Sequence, residues 1–310
     1  MTDFIMMVGL PGSGKSHWAD EKFKEKRDYG RFVLISSDKL RKSEYGDESV
    51  QGDNQKLFQM IHKTIKERLT EGDDVIFDAT NINYKHRVQL LQFLKNVPNV
   101  RKTAVVMATP IDKCLERNQG RVRNVPSFVV DRMWKSFTCP TYGEGWNDIQ
   151  FVFPTDDELE FKYGYTMGNL FDKMSGFEQD NPNHTMDLLG HSLAVVRNIG
   201  HPFDMILHSA AYLHDVGKLY TKTFGDINGN NPDVAHYYSH ESVSSYEAMF
   251  YCKILFIDDK DITKVCGLIQ NHMRLHNGFT EKTKNKMIGL LGDDGWSNLI
   301  ALTEADKKGK

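Results

Sequence analysis

Cysteine is scarce in this chain: four residues in 310, Cys114, Cys139, Cys252 and Cys266, with no C-x-x-C spacing among them. That scatter argues against a disulfide framework and a zinc–thiolate site, and leaves the four as small core residues. Long apolar runs are missing too. No stretch approaches the roughly 18 residues of a membrane span and no signal-like segment precedes the first apolar run, so a cytoplasmic protein without a membrane partner is expected. A surplus of one charge is also lacking. Lys and Arg total 39 against 42 Asp and Glu, a net charge of −3. Up to residue 165 the basic and acidic counts are 25 and 24, and beyond it 14 and 18. Neither half carries a broad basic field, so any nucleic-acid contact must be local. Hydrophobic and charged fractions of 40% and 26% are those of a globular protein and exclude disorder, and the length suggests about two domains.

What is present begins with Gly9-Leu10-Pro11-Gly12-Ser13-Gly14-Lys15-Ser16, a G-x-x-x-x-G-K-S loop between the apolar run Phe4 to Val8 and a helix-like segment. Glycines at 9, 12 and 14 let backbone N–H groups turn toward an anion, and the following helix presents its positive end to the same place. The motif gives Lys15 to the β- and γ-phosphates of ATP or GTP and the Ser16 hydroxyl to Mg²⁺, with Ser13 in the cradle.

Phe4 to Val8, Phe32 to Ser36, Asp74 to Asp78, Thr103 to Ala108 and Asp148 to Phe153 read as short apolar strands. Helical stretches such as Gln55 to Leu69 and Lys85 to Leu94 separate them. Alternation of this kind predicts an α/β domain: a parallel sheet with helices on both faces and ligands at the carboxyl ends of its strands. There the second strand ends in Ser36-Ser37-Asp38-Lys39-Leu40-Arg41 and the third in Asp78-Ala79-Thr80-Asn81. Phosphoryl transfer to a hydroxyl needs a proton acceptor, for which Asp38 is the candidate; the alternative for it is a helix N-cap. Arg41 could hold a substrate phosphate as a fork, or be a surface charge. Asp78 closes its strand as a Mg²⁺-orienting carboxylate does, or as a polar strand terminus. The basic segment from Lys113 to Lys135, with Arg117, Arg121, Arg123 and Arg132, suits an arginine lid over the phosphates, or a solvated helix face.

Taken in series, the G-x-P-G-S-G-K-S loop, Asp38-x-x-Arg41, Asp78-x-Thr80-Asn81 and Arg117-Asn118-x-x-Arg121 followed by Val125-Pro126 resemble the kinase domain of bacteriophage T4 polynucleotide kinase and its relatives, over about 150 residues. The resemblance implies a 5′-OH polynucleotide kinase using ATP and Mg²⁺. Lys15 and Ser16 would serve the nucleotide, Asp38 would be the general base, Arg41 would hold the acceptor's phosphate, and Arg121 would be the lid arginine. Those relatives usually carry a D-x-D-x-T phosphatase domain downstream, and that motif is absent here.

A domain boundary is expected near 166. Residues 155–180 carry Gly164, Gly168 and Gly176 and read as a connection with a helix, and beyond it the pattern is helical. Helices are expected over Asp187 to Ile199, Met205 to Leu213, Glu241 to Tyr251, Ile262 to Gln270 and from Lys282 onward. Nine of the twelve histidines lie from His184 onward. They come with carboxylates: His191, the pair His214-Asp215, His236-Tyr237-Tyr238-Ser239-His240, Asn271-His272 and Asp306. Imidazole and carboxylate together suit Mn²⁺, Fe²⁺, Co²⁺, Ni²⁺ or Zn²⁺, and such an ion acidifies a bound water for attack on phosphorus.

His191, the run Leu213-His214-Asp215-Val216-Gly217-Lys218, and Glu304-Ala305-Asp306 resemble the HD phosphohydrolase superfamily. More closely, with Asn181-Pro182-Asn183-His184-Thr185 and the His236 to His240 run, residues 175–310 are similar to the helical HD domain attached to bacterial tRNA nucleotidyltransferases. This implies a metal held by His191, His214, Asp215 and Asp306, with His240 and His272 able to hold a second. Activity on 2′,3′-cyclic phosphates and phosphomonoesters is implied with it. Lys218 would contact the phosphate and His184 and His236 would line the substrate site, while His201, His208 and His276 read as structural. Together the two resemblances imply a bifunctional end-healing enzyme of RNA repair. Its partners would be RNA or DNA ends and a downstream ligase. A nucleoside or metabolite kinase joined to a nucleotide phosphohydrolase, and a metal-holding regulator without turnover, are the alternatives.

Overall fold

The computed structural model describes residues 1–26, 30–47, 50, 52–121, 124–182, 184–226 and 228–309. Arg123 of the basic segment and Asn183 of the histidine-rich motif lie outside the described residues. The chain divides into two compact units, residues 1–133 with 144–153, and residues 134–143 with 154–310. The sequence reading put a single boundary near 166; the observed division lies at 153/154 and gives 134–143 to the second unit.

In the first unit, β1 (Thr2–Val8), β2 (Phe32–Ser36), β3 (Asp74–Asp78), β4 (Val100–Met107) and β5 (Asp148–Val152) form a parallel sheet in the order β2-β3-β1-β4-β5. Phe4, Met7 and Val8 of the central strand are completely buried, as expected of a strand covered on both faces. The covering helices are α1 (Lys15–Lys26), α2 (Ser37–Tyr45), α3 (Asn54–Thr70), α4 (Tyr84–Phe93), α5 (Ile111–Gln119) and α6 (Ser127–Lys135). Helix α3 shows why such segments are helical. Asp53 caps it by accepting from the Lys56 N–H, and Leu57, Ile61, Ile65 and Leu69, each one turn from the next, form its buried stripe.

The strand order positions the site. β3 lies between β1 and β2, with Ser36 in register with Asp78. The loop after β1, the start of α2 and the end of β3 therefore meet at one sheet edge. The Gly9 N–H donates to the Thr80 carbonyl at 3.0 Å and the Asn81 amide to the Met7 carbonyl at 2.8 Å, tying two of those ends together.

Behind this edge, Arg87 on α4 and Glu144 have side chains with no solvent exposure and make a two-point pair, Nε to Oε2 at 2.8 Å and Nη2 to Oε1 at 2.6 Å. Arg87 Nη1 also donates to the Asn81 carbonyl at 3.1 Å, and Trp146 Nε1 to Glu144 Oε2 at 3.1 Å.

The second unit comprises α7 (Met167–Met174), α8 (Leu188–Ile199), α9 (Met205–Leu213), α10 (Lys218–Thr221), α11 (His240–Ile254), α12 (Asp259–Asn271) and α13 (Glu281–Lys308), with a two-stranded antiparallel ladder of β6 (Thr223–Phe224) and β7 (Ala235–His236). α11 is buried on nearly every face and packs on α12, α9 and α10, while α13 packs on α8 and α12. The helix expected from Lys282 onward is broken at Gly292, whose φ of 78° and ψ of 175° are not helical. Residues 134–143 belong here because they are bonded here. The Cys139 N–H donates to Gln270 Oε1 at 3.0 Å, the Gln270 amide to the Phe137 carbonyl at 3.3 Å, and a Cβ on Gly143 would sit 2.3 Å from the Gly289 carbonyl. All four cysteines are buried and none is in a disulfide. Among the described residues no helix is long and apolar enough to cross a membrane.

Removing one partner of a buried ion pair leaves an uncompensated charge, a loss of about 3–5 kcal/mol. Arg87→Ala is expected to lower stability by that amount in urea unfolding; a loss below about 1 kcal/mol, the scale of an exposed pair, would mean that the pair does not hold the sheet edge.

Candidate active sites

The loop from Gly9 to Ser16 runs from β1 into α1. Gly12 has φ of 81°, and a Cβ there would lie 2.2 Å from the Cys114 carbonyl, so only glycine fits. Thr109 Oγ1 donates to the Ser13 carbonyl at 2.9 Å and fixes the loop from β4's side. Lys15 retains 8% of its surface, and its ammonium donates to the Leu10 carbonyl at 2.7 Å. Burial, only partly opposed by Asp78, lowers Lys15 to about 8. Its ammonium is thus short of negative charge, which a phosphate supplies. The Ser16 hydroxyl donates to Asp78 Oδ2 at 2.8 Å, and burial raises the Asp78 carboxyl against that bond. A hydroxyl and a carboxylate in contact at a strand end are hard oxygen donors of the kind that hold Mg²⁺ with a nucleotide, so the residues present fit that ion.

Two cavities flank the loop. One of about 380 Å³ is bounded by Gly12, Gly14, Lys15, Ser16, His17, Arg117 and Arg121. The other, about 150 Å³, has Asp38, Arg41, Asp78 and Phe58 in its wall, and Lys15, Ser16 and Arg121 line both. Asp38 is in the first turn of α2, and the cap is Ser36, whose hydroxyl accepts from the Lys39 N–H. The N-cap alternative for Asp38 therefore falls. Arg41 is buried, and donates from Nη1 to Asp38 Oδ1 at 3.2 Å and from Nη2 to Asn54 Oδ1 at 3.0 Å. The surface-charge alternative falls for it as well: part of its fork orients Asp38. Nothing in the sequence pattern marked Asn54 or Phe58.

In the second unit, the ends of five helices bring six groups together. His191 comes from α8, His214 and Asp215 from the turn after α9, His240 from the start of α11, His272 from the turn after α12, and Asp306 from the last turns of α13. All six are buried. Each imidazole has its Nδ1 against a backbone carbonyl: His191 on Gly309 at 3.0 Å, His214 on Ala211 at 2.8 Å, His240 on Tyr237 at 2.8 Å and His272 on Ile269 at 2.6 Å. These contacts assign the N–H to Nδ1 and leave Nε2 as a lone-pair donor. The Nε2 atoms face one another, His191 to His214 at 3.2 Å and His240 to His272 at 3.4 Å. Asp215 joins the two pairs. Its Oδ2 lies 3.2 and 3.3 Å from His191 and His214 Nε2, and its Oδ1 lies 3.3 and 3.9 Å from His240 and His272 Nε2. Asp306 Oδ1 is 3.2 Å from His191 Nε2 and 3.7 Å from His214 Nε2.

Two nitrogens whose N–H bonds are already used elsewhere repel at this distance unless a cation lies between them. Ligand atoms each about 2.1 Å from one ion are roughly 3.4 Å apart at a tetrahedral angle, so the donor set fits a divalent ion. Among the described residues, His191, His214 and Asp306, and His214, Asp215 and His272, are groups whose donor atoms could hold a common ion. The carboxylates draw positive charge to one imidazole and not to the other. Burial lowers His214, but Asp215 and Asp306 outweigh it and raise the imidazole to about 10. Burial together with His214 and His240 drops His272 to about 3.

Lys218 donates to Asp215 Oδ2 at 2.7 Å and to Gln179 Oε1 at 2.8 Å, with His184 Nε2 at 3.2 Å. Burial and then Lys218 push His184 down to about 4. A cavity of about 470 Å³ is lined by Asp215, Lys218, His184, His236 and Asp306 among others. His184 Nδ1 and His236 Nε2 are buried without a partner among the described residues. His276, which the sequence reading left as structural, has Nε2 2.8 Å from Asp306 Oδ2, though off the hydrogen-bond direction; its place one turn after His272 was the available signal. His208, by contrast, bonds the Gly200 carbonyl at 3.0 Å. A larger cavity of about 680 Å³, around Gly292 and α12, contains none of the clustered histidines.

Residues 4–140 match the family model AAA_33, described as an AAA domain. Among curated proteins, the L-seryl-tRNA(Sec) kinase of Methanococcus maripaludis is 25% identical over 165 residues, 51% of this chain and 61% of that protein. The chain thus spans about three fifths of that relative's length. Among solved structures, Chaetomium thermophilum Kti12 in complex with ADP-AlF3 is similar with a TM-score of 0.40 and 20% identity, over 55% of this chain and 97% of that one. The Pnkp1/Rnl/Hen1 RNA repair complex is similar with a TM-score of 0.38 and 19% identity, over 43% and 42%. The first unit carries a P-loop kinase-like domain. The matched model and relative support a P-loop nucleotide-binding, kinase-like reading of that stretch.

A charged hydrogen-bond donor to phosphate contributes about 1.5–3 kcal/mol. Lys15→Met is therefore expected to weaken ATP binding roughly 10- to 150-fold in calorimetry without lowering the unfolding midpoint, since the buried ammonium is itself unfavourable. Unchanged affinity would remove Lys15 from the site.

Proposed function

We propose that this chain is a bifunctional nucleic-acid end-healing enzyme. Its first unit would be an ATP-dependent 5′-OH polynucleotide kinase and its second an HD-type phosphohydrolase acting on 2′,3′-cyclic phosphates and phosphomonoesters of RNA ends. The reading rests on one observation above all: Lys15, Ser16 and Arg121 line both the cavity beside the loop and the cavity holding Asp38. A donor phosphate on one side and a hydroxyl on the other would meet at those three groups.

In the kinase step Asp38 accepts the proton of the attacking hydroxyl, while Arg41 keeps the carboxylate aimed and offers the rest of its fork to an acceptor phosphate. Lys15 follows the charge on the transferring phosphoryl group and Arg121 closes over it, excluding water. Ser16 and Asp78 are the residues that would hold Mg²⁺.

In the second unit, His191, His214, Asp215 and Asp306 would hold one divalent ion and His240 and His272, with Asp215, a second. Such an ion supplies Lewis acidity for hydrolysis near neutral pH. Lys218 would contact the phosphate, and His184 and His236 line the site around it. RNA or DNA ends would be the substrates and a ligase the downstream partner. The name of the curated relative, L-seryl-tRNA(Sec) kinase, is that of a kinase with a tRNA-linked acceptor, in keeping with a nucleic-acid acceptor here.

The volume of about 150 Å³ around Asp38 favours a second reading, in which the acceptor is a free nucleoside or metabolite. Turnover of 5′-OH oligonucleotides and of nucleosides, compared with labelled ATP, separates the two, and phosphorylation of nucleosides alone sinks the first. Asp38→Ala is expected to abolish phosphorylation and spare hydrolysis of a 2′,3′-cyclic end in Mn²⁺, Co²⁺ or Ni²⁺. Asp215→Ala is expected to do the reverse. Loss of both activities from either change would show that the sites are not independent.

A further inference from the structure

The stretch from His236 to His240 is held at almost every residue. His236 pairs with Thr223 in the short ladder, and its carbonyl accepts from Thr223 Oγ1 at 3.3 Å. The Tyr237 hydroxyl donates to the Gln179 carbonyl at 2.5 Å, and its ring takes the Lys218 ammonium at 5.3 Å from the centroid. His240 is in the ligand cluster. Tyr238 is the exception. It is 52% exposed, and its hydroxyl has no hydrogen-bond partner among the described residues. Its ring lies parallel to that of His236, 3° apart with centroids at 5.5 Å. Between Tyr238 and His240 the backbone turns through Ser239 at φ 66°, a left-handed conformation that a serine adopts only where the surroundings impose it.

One exposed tyrosine needs no explanation. Here, however, Tyr238 and His236 are both in the wall of the cavity that contains Asp215 and Asp306. At about 470 Å³ that cavity falls in the range of roughly 300–1,000 Å³ that takes whole small-molecule ligands, more than a phosphate requires. Parallel aromatic rings with an outer edge in solvent are what proteins present to an unpaired base.

We propose that His236 and Tyr238 form a shelf on which the terminal base of a single-stranded end stacks while its phosphate reaches the Asp215 and Asp306 cluster. The second unit would thereby select nucleotide ends over phosphate esters that lack a base. This inference rests on the phosphohydrolase reading of that unit.

The test uses the full chain and a 5′-phosphorylated oligonucleotide whose 3′-phosphorylated terminal residue carries 2-aminopurine, a base whose fluorescence is quenched on stacking. Binding to the wild type is expected to quench it. Tyr238→Ala is expected to lose the quench and weaken binding roughly 5- to 100-fold, Tyr238→Phe to keep both, and an abasic end to bind wild type and Tyr238→Ala alike. In turnover the alanine variant should raise KM for base-bearing ends with kcat unchanged. Equal binding and quenching by wild type and Tyr238→Ala would overturn the shelf. Base-independent hydrolysis would leave the phosphohydrolase reading standing without the shelf; Tyr238-dependent quenching with no hydrolysis in any metal would leave the shelf without that reading.

Discussion

Asp215 keeps 2% of its surface, and burial alone would raise its carboxyl; His214 and Lys218 outweigh that and hold it well below its ordinary value. A charge this deep is tolerable only while its neighbours remain in place, because desolvation costs several kcal/mol per ion. Those neighbours come from α8, α9, α11 and α12 or the turns that follow them. His191 reaches it from α8, His214 from the turn after α9, His240 from α11 and His272 from the turn after α12. The helices are therefore positioned as much by one carboxylate as by their apolar faces. The four imidazoles, each tethered through Nδ1, cannot rotate to find other partners.

The same economy governs the first unit on a smaller scale. Asp78 and Ser16 are bonded across 62 residues of sequence because the sheet sets β3 beside β1. Arg41 is aimed by Asn54 on α3 and in turn aims Asp38. Neither arrangement needs a flexible loop to create it. Arg117 and Arg121 of the basic segment are exposed, as suits residues that close on a substrate.

Much of this was legible from residue order. Each of the five parallel strands overlaps an apolar run of the sequence, with β4 beginning at Val100, three residues before the run from Thr103, and the P-loop announces its own conformation through spacing. The histidines and carboxylates that the sequence suggested as ligands do converge, because each sits at or near a helix end. What was not legible depends on pairing between distant elements. Nothing in Arg87 or Glu144 signals that two charged residues are buried against each other. Asn54 looks like any helix-start residue until α2 is laid beside it. The break at Gly292 was hidden because a lone glycine within a helical pattern is usually tolerated. The assignment of residues 134–143 to the second unit rests on Gln270 and Gly289, more than a hundred residues away.

That last feature bears on inheritance. The chain passes from one unit to the other at 133/134, returns at 143/144 and leaves again at 153/154, with Glu144 locked to Arg87 one residue beyond the Gly143 that seats on α13. A crossover before 134 gives the first unit its 144–153 segment from the other parent, and one after 143 takes 134–143 away from the rest of the second unit. Shuffling can thus donate the pair of units as a block more easily than either unit alone.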